Sequence, residues 1–474
     1  MVDQLTARLR GQRQLAVLVA AAAVTALLAY RLAAGHRHLP EALLVVAVGY
    51  GILRRPQLAF VGWLVIVASV LPQRVLPVGA LGVRSDLGEA LGFAILAAVV
   101  VHLATHEPLR RPEIVWPFAV LMLAAVVGAV VASSYGAVRA DWLAPLKSLV
   151  LYLLPVAMLA LHRTEQHLQT LEKWILRICV AGSVLTFVSL VTGVGGSGDQ
   201  KDVVTMGFAA PANRLRPAVL HLVLLGILLL VARCTTQGFT PRRIAALALF
   251  TALVAFSFTR STWVPLAIAL LLFALRHPAQ RLPLRGLRTS VTLICVALVA
   301  FAAASSGTLG PSMKAATLRV ESIGTPQVFQ ENSYQIRASE DTIAWSALNG
   351  HKVLGIGLGR PYGGVVIEHD PMSNRTVKEP RKFIHNSYLN TWLGLGLLGL
   401  LAWAMLAWAV VREATRARRD RSPNGARRFA AACVLLALGL EAIFQTDLYN
   451  RAFLATLTCA IVFLVGPKQA QEQQ

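Results

Sequence analysis

The chain has 474 residues, of which 56% are hydrophobic and 14% are charged, and its formal net charge is +22. Many windows of about 20 residues carry almost no charge, and that length crosses a hydrocarbon core of roughly 30 Å. A soluble protein must present a polar surface, so the composition excludes a soluble fold and predicts an all-α polytopic membrane protein. In such a protein the positive charge indicates basic cytoplasmic loops rather than a nucleic-acid site.

Apolar segments recur along the whole chain, and their lengths predict about 12 to 14 transmembrane helices. The first segment follows a short basic N-terminus and lacks a small-residue cleavage pattern, so we expect it to be retained as a helix. Several segments are short and could be broken, interfacial or re-entrant. The candidate spans are 14–34, 41–53, 57–71, 87–104, 114–132, 143–161, 174–192, 215–232, 243–258, 261–275, 289–305, 387–411, 429–446 and 452–466.

Arginine and lysine are concentrated in alternate loops. The positive-inside rule places such loops in the cytoplasm, and it therefore predicts cytoplasmic N- and C-termini in a multi-pass protein of the cytoplasmic membrane. The basic loops are 54–56, 106–113, 162–173, 233–243, 276–288 and 412–428. The five cysteines include no CxxC pair, which indicates neither a disulfide framework nor a metal site.

One loop is too long to be a simple connector. Residues 306–384, on the predicted outer side, form a stretch of about 80 residues, and loops of this length are usually functional or disordered. The segment SYQIRASEDTIAWSAL (333–348) predicts an amphipathic helix, and a glycine-rich turn, LGIGLGRPYGG (354–364), follows it. The apolar residues that can share one face of this helix are Ile336, Ile343, Ala344 and Leu348. We interpret the loop as a small folded lid.

Basic residues from distant segments converge on the predicted outer side. Arg260 lies in SFTRSTW (257–263), a tight hairpin between two apolar spans, and Arg337 lies on the lid helix. His385 lies in FIHNSYLNTWLGLGLLG (383–399), at the point where the long loop ends and the next helix begins. A charged residue this close to the membrane core is costly and usually functional.

A further basic group precedes another span. Arg214 and Arg216 lie in APANRLRPAV (210–219), and His221 follows just inside the membrane. Guanidinium groups bind phosphate through two parallel hydrogen bonds, and a neutral histidine can accept a proton. Together these residues suit a lipid diphosphate and a proton-transfer step.

The residues around His385 resemble those of the O-antigen ligase and O-antigen polymerase superfamily. His385 and Asn386, followed by nine residues and then by Gly396-Leu-Leu-Gly399, fit the family pattern of a histidine and a polar residue before a G-x-x-G. SFTRSTW resembles the arginine-containing turn of the family, although serine follows Arg260 where the family has glycine. Arg337, with a tryptophan and LGIGLG after it, resembles the family's loop arginine. The resemblance covers roughly residues 205–411.

This resemblance implies a membrane-embedded, GT-C-like glycosyltransferase that inverts the anomeric centre and needs no metal or other cofactor. Its donor would be an undecaprenyl-diphosphate-linked glycan, and its acceptor would be a hydroxyl of a glycan or lipid-linked glycan on the outer face. Arg260 and Arg337 would hold the diphosphate, and His385 would deprotonate or orient the acceptor hydroxyl. The substrate-binding candidates are Arg214, Arg216, Asn386 and His221. Ligase and polymerase differ only in the acceptor, and both remain open.

Each candidate residue also has a structural interpretation. Asn386 is a good helix N-cap, Arg337 is spaced to pair with Asp341 along a helix, and Gly396 and Gly399 permit close helix packing. Arg260, His385 and the basic group before His221 could instead be anchors at the level of the lipid headgroups.

The chain divides into three regions in this interpretation. N-terminal transmembrane helices occupy residues 1–205, the catalytic region with its loop occupies 206–411, and the basic loop with the last helices occupies 412–474. The alternative from another class is a transporter or flippase of an anionic lipid-linked glycan, which predicts ionisable residues at the bilayer midplane. A non-catalytic scaffold of a polysaccharide assembly complex is a third possibility.

Overall fold

The computed structural model describes most of the predicted helices. Predicted spans 14–34 and 289–305, and most of 41–53, lie outside the described residues. The described residues are 49–68, 78–80, 83–85, 87–105, 112–162, 164–192, 201–205, 211–215, 218–257, 260–275, 332–363, 365–370, 375–380, 382–445 and 450–466.

Helices form the body of the molecule. In chain order they are α1 (Pro56–Val67), α2 (Leu87–Thr105), α3 (Pro112–Ser134), α4 (Arg139–Val150), α5 (Leu154–Leu161), α6 (Glu165–Thr192), α7 (Leu220–Gln237), α8 (Pro241–Phe256), α9 (Arg260–Leu275), α10 (Asn332–Leu348), α11 (Ser387–Arg419), α12 (Pro423–Glu441) and α13 (Arg451–Val465). A 3₁₀ turn, Leu151–Leu153, joins α4 to α5, and residues 49–54 are also helical.

Three small antiparallel hairpins lie in the connections, and the sequence pattern did not predict them. They are β1 (Val78–Ala80) with β2 (Val83–Ser85), β3 (Lys201–Thr205) with β4 (Pro211–Leu215), and β5 (Val365–Asp370) with β6 (Arg375–Pro380). Each is a two-stranded ribbon that pairs with no other strand of the described residues. These hairpins are short compared with the helices, so the fold remains in the all-α class.

Four stretches of the described helices are long and apolar enough to cross a membrane, by length and composition. They are Glu113–Ser134, Arg139–Leu161, Leu220–Gln237 and Ser387–Arg419. Shorter apolar helices accompany them, and the largest buried side chains, such as Trp63 and Phe250, lie between the helices. The predicted all-α polytopic membrane fold is confirmed.

Two of the basic segments that were predicted as loops are largely helical, so the prediction of irregular structure there is wrong. The loop 162–173 becomes helical at Glu165, where the Thr164 hydroxyl accepts a hydrogen bond from the His167 amide at 3.2 Å. The loop 412–428 is helical except for a short break, because α11 continues to Arg419 and α12 starts at a Ser422 cap. Apolar periodicity alone misses such extensions, since capping and ion pairs sustain them.

The ends of these basic segments meet at one end of the bundle, which we call the basic end. Arg412 lies 2.8 Å from Glu113, so α11 runs antiparallel to α3. At the same end Arg427 binds both carboxylate oxygens of Glu165, and Arg233 lies 2.6 Å from Glu172. This gathering agrees with the alternation of basic loops in the sequence. The orientation of the basic end in a membrane stays a prediction.

The helix α11 is interrupted at Gly396, which has a φ of 66°. The glycine-rich turn after α10, together with the preceding Val353, supplies the hydrogen bonds that the interrupted helix lacks. The Leu397 amide donates to the Val353 carbonyl at 2.9 Å, and the Ile356 amide donates to the Leu393 carbonyl at 2.7 Å. An irregular backbone is tolerated among membrane helices only where the protein itself satisfies its polar groups.

Close backbone contacts explain the glycines of the turn. Gly355, Gly357 and Gly359 all have positive φ angles. A Cβ at Gly357 would lie 2.5 Å from the Ala132 amide nitrogen, and a Cβ at Gly359 would lie 1.9 Å from the Asp141 carbonyl oxygen. Only glycine combines this conformation with this proximity. The turn therefore packs directly against the ends of α3 and α4.

The predicted lid helix is present as α10. Ala344 and Leu348 are fully buried and pack with Ile384, Leu389 and Leu393 in a separate small core. Ile343 packs against the edge of this core, while the side chain of Ile336 lies outside the described residues. The helix is thereby held against the start of α11.

We expect Gly357→Ala to lower the free energy of unfolding by about 1–3 kcal/mol, because alanine is strained at this φ and its Cβ would press on the backbone of α3. The measurement is thermal unfolding of purified protein in detergent, followed by tryptophan fluorescence. Gly62→Ala is the matched control, since no atom lies within 4 Å of a Cβ there. An unchanged midpoint for Gly357→Ala would contradict the packing described for the turn.

Candidate functional site

His385 lies two residues before Ser387, the first residue of α11, and half of its side chain is exposed. Asn386 caps the helix, because its Oδ1 accepts a hydrogen bond from the Leu389 amide at 3.1 Å. The structural interpretation of Asn386 therefore holds, and its role in substrate binding stays a prediction. Capping fixes the chain direction at the residue that precedes it, so the cap also sets the position of His385.

A buried carboxylate holds His385. The Nδ1 atom of His385 lies 2.8 Å from Oε2 of Glu340, and the His385 amide donates to the same oxygen at 3.3 Å. The Glu340 side chain is only 7% exposed, whereas that of His385 is 50% exposed. Glu340 belongs to α10, so the lid helix and the histidine motif are joined by a direct polar contact.

Sequence reasoning missed Glu340. The signal that could have found it is its spacing from Arg337, since residues three apart share a face of a helix. If the helix face that carries Arg337 lies at the site, Glu340, one turn later on the same face, lies at the site as well. The apolar pattern of the segment directed attention to Ala344 and Leu348 instead.

Arg337 is half-buried on the same helix, one turn before Glu340. Burial raises the pKa of the neighbouring Asp341, the negative charge of Glu340 raises it further, and the positive charge of Arg337 opposes both effects. Arg337 therefore interacts electrostatically with Asp341, as the helical spacing predicted. The contact between Glu340 and His385 places α10, the helix that carries Arg337, beside the histidine.

The turn that carries Arg260 is tied to the same region by a buried network. Arg260 is the first residue of α9, and its side chain lies outside the described residues. The next two residues are described. Ser261 Oγ accepts from Gln445 Nε2 at 2.8 Å, and Thr262 Oγ1 donates to Glu441 Oε1 at 2.6 Å. Gln445 also donates to Glu441, so the two hydroxyl groups share one amide–carboxylate pair.

The end of α12 also binds the start of α11. The Ser387 amide donates to the Ala442 carbonyl at 2.8 Å, and the Ser387 hydroxyl donates to the Gln445 carbonyl. Gln445 therefore contacts Ser261 through its side chain and Ser387 through its backbone. Arg260 precedes the first of these residues by one position, and His385 precedes the second by two. The structure thus brings the two motifs together.

A further pair of contacts fixes the segment before His385. Lys382 Nζ lies 2.8 Å from Asp141 Oδ1, and the Tyr362 hydroxyl donates to the Phe383 carbonyl at 3.1 Å. The ends of the segment are thereby bound to α4 and to the glycine-rich turn. Neither contact could be inferred from the sequence, since the partners are distant along the chain.

The remaining predicted residues lie further from His385 or outside the described side chains. His221 is buried in α7, with its Nε2 atom 3.6 Å from Glu441 Oε2 and its ring beside Phe453. It approaches the site through Glu441. The backbone of Arg214 lies opposite that of Asp202 in the β3–β4 hairpin, the side chain of Arg214 is not described, and Arg216 lies outside the described residues. Their roles stay predictions.

An apolar cleft of about 570 Å³ opens beside this region. Ser387 and Tyr388 line one end of it, Thr415 and Arg418 line the other, and apolar side chains of α11 and α12 lie between them. The part of α11 that follows the break at Gly396, residues 397–419, is about 35 Å long. The cleft runs along this part of the helix, from the region of Ser387 to Arg418.

We expect Thr262→Val to destabilise the protein by about 1–3 kcal/mol, because it keeps the side-chain volume and removes a hydrogen bond from the buried Glu441 carboxylate. Thermal unfolding in detergent measures the effect. Thr170→Val is the control, since Thr170 is exposed and its hydroxyl bonds only its own helix. Equal midpoints for both variants would show that the Thr262 hydroxyl does not stabilise the network.

Comparison with known protein families found one match. The family model described as O-Antigen ligase matches residues 244–404. The matched region runs from α8 through α9, α10 and the first part of α11, and it contains Arg260, Arg337 and His385. A comparison with curated proteins found no match. The match covers less than half of the chain, and over residues 244–404 the chain is similar to the O-antigen ligase family of membrane enzymes.

Proposed function

We propose that this protein transfers a glycan from undecaprenyl diphosphate to an acceptor hydroxyl, at the outer face of the cytoplasmic membrane. The observation that supports it most is the meeting of three distant segments at one end of the bundle. Glu340 joins the helix that carries Arg337 to His385. Gln445 joins the turn that carries Arg260 to Ser387, at the start of α11. This end lies opposite the basic end, which the positive-inside rule assigns to the cytoplasm.

The diphosphate of the donor would be bound by Arg260 and Arg337. Guanidinium groups remain charged at all relevant pH values and match the geometry of phosphate oxygens. As the bond between the anomeric carbon and the diphosphate oxygen breaks, negative charge develops on the leaving group. Two fixed cations stabilise that charge more in the transition state than in the ground state, which lowers the barrier.

His385 would be the base that accepts the proton of the acceptor hydroxyl. The hydroxyl oxygen attacks the anomeric carbon, its proton passes to His385 Nε2, and the diphosphate leaves on the opposite face. The proton then returns to water. A single displacement of this kind inverts the anomeric configuration. The arginines supply the charge that neutralises the diphosphate, so we propose that no metal is needed.

The apolar cleft gives the polyprenyl chain of the donor a place to lie. It begins beside Ser387, close to the proposed diphosphate position, and continues between α11 and α12 toward Arg418. Burial of a hydrocarbon chain against apolar side chains costs no hydrogen bond, because the lining is almost entirely hydrophobic. A lipid held in this way presents its diphosphate to the arginines and its sugar to His385.

We expect His385→Ala to reduce glycan transfer at least 100-fold, because general-base catalysis contributes about 10²–10⁴-fold. The assay is transfer by purified protein in liposomes, with an undecaprenyl-diphosphate glycan as donor and with EDTA added in parallel. His351→Ala is the control, since His351 lies at the same end beside Tyr135 and outside the motif. Full activity of His385→Ala would refute the mechanism. Movement of the donor across the bilayer without transfer would favour the flippase alternative.

We expect Arg337→Ala to lower the efficiency of transfer at least tenfold, and Arg337→Lys to restore only part of it, because an ammonium group cannot form the paired hydrogen bonds of a guanidinium. Steady-state kinetics with varied donor concentration measure the effect. Arg360→Ala is the matched control, since the Arg360 guanidinium stacks on the Tyr135 ring at 4.3 Å. Equal losses for the two arginines would indicate a general effect of surface charge and would contradict a specific diphosphate contact.

A further inference from the structure

Glu340 is the buried acid that contacts His385, and nothing in the resemblance assigns it a role. Its Oε2 atom accepts hydrogen bonds from two donors of one residue, the ring Nδ1 and the backbone amide of His385. A carboxylate that is only 7% exposed loses most of its hydration. Such a group is retained at a cost unless its partners compensate, so its position beside a histidine calls for a functional explanation.

We propose that Glu340 is the positioning residue of His385, which fixes the imidazole in the form with the proton on Nδ1 and leaves Nε2 as the acceptor. This inference rests on the proposed function, in which His385 is the base. An ionised carboxylate can only accept hydrogen bonds, so the ring nitrogen facing it must carry a proton. In a neutral imidazole the other nitrogen then has the free lone pair.

The same contact stabilises the product of proton transfer. When Nε2 takes the proton of the acceptor hydroxyl, the ring becomes a cation, and the Glu340 carboxylate lies 2.8 Å from its Nδ1 atom. The attraction between these charges is stronger at a buried carboxylate than it would be in water. Glu340 keeps its own negative charge throughout the step, and no proton moves onto it.

Packing around the pair determines the orientation of the ring. Ala344, one turn after Glu340, is buried in the same small core as Ile384, the residue before His385. The N-cap hydrogen bond fixes Asn386, the residue after His385. His385 is therefore held from both sides along the chain and by Glu340 across the gap, while half of its side chain faces the open side. Only rotation about its own side-chain bonds remains, and the Nδ1 hydrogen bond restricts that rotation.

Two substitutions at Glu340 separate a role of the charge from a role of packing. Glu340→Gln keeps the shape and the capacity to hydrogen-bond and removes the charge. Glu340→Asp keeps the charge and shortens the side chain. A positioning role for the carboxylate predicts that Glu340→Gln lowers kcat about 10- to 100-fold, with little change in the KM for the donor. It also predicts that Glu340→Asp retains more activity than Glu340→Gln. A purely structural role predicts the reverse order.

The control is Asp141→Asn, which breaks the ion pair with Lys382 and so loosens the segment before His385 without touching its ring. We expect its kcat to stay within about twofold of the parent value, as is usual for a partly exposed ion pair. A loss as large as that of Glu340→Gln would overturn the inference, because loosening alone would then explain both effects. His385→Ala is measured alongside. If it retains activity, the proposed function fails, whereas an inactive His385→Ala with a fully active Glu340→Gln overturns only the role of Glu340.

A second readout does not depend on transfer activity. The ¹⁵N spectrum of histidine-labelled protein distinguishes the two forms of neutral imidazole, and the signal missing from His385→Ala identifies His385. We expect the form protonated on Nδ1 in the parent and in Glu340→Asp, and a loss of this preference in Glu340→Gln. A parent spectrum that shows the proton on Nε2 would overturn the inference, whatever the kinetics.

Discussion

The break in α11 at Gly396 is the feature on which the arrangement of the site depends. A helix that is interrupted within a membrane bundle leaves amide and carbonyl groups without partners, and hydrocarbon cannot satisfy them. Here the backbone of the glycine-rich turn and of the preceding Val353 satisfies them, with hydrogen bonds from Leu397 to Val353 and from Ile356 to Leu393. The turn cannot leave this position without exposing those groups. It therefore anchors the end of α10 to the start of α11, and this places Glu340 against His385.

A second constraint acts from the other side of α11. Glu441 and Gln445, at the end of α12, bind the hydroxyl groups that follow Arg260, and the backbone of the same segment binds Ser387. Buried polar groups need partners, so these hydrogen bonds hold the start of α9, the start of α11 and the end of α12 together. Two independent sets of hydrogen bonds thus meet at the first turn of α11. His385 lies between these two sets of hydrogen bonds, just before α11, with half of its side chain exposed.

Much of the candidate site could be inferred from residue types and spacing. The helix over 333–348, the start of a helix directly after His385 and the glycines of LGIGLG were all visible as patterns, because helical periodicity and caps are local properties. The helical continuation of α6 and α11 into the basic segments was not visible, since ion pairs and capping rather than apolar residues sustain it. The β-hairpins were also missed, as they carry no alternating apolar face.

The sequence by itself determined the membrane class, the basic end of the bundle and the identity of His385, Arg260 and Arg337 as candidates. Each of these follows from hydropathy, charge or short-range spacing. Only the tertiary structure decided which carboxylate faces His385, that Gly396 interrupts α11 rather than packing a straight helix, and that His221 faces Glu441. These contacts join residues that are about 45 to 220 positions apart. No local pattern encodes them, because they arise from the need to satisfy buried polar groups once the helices have packed.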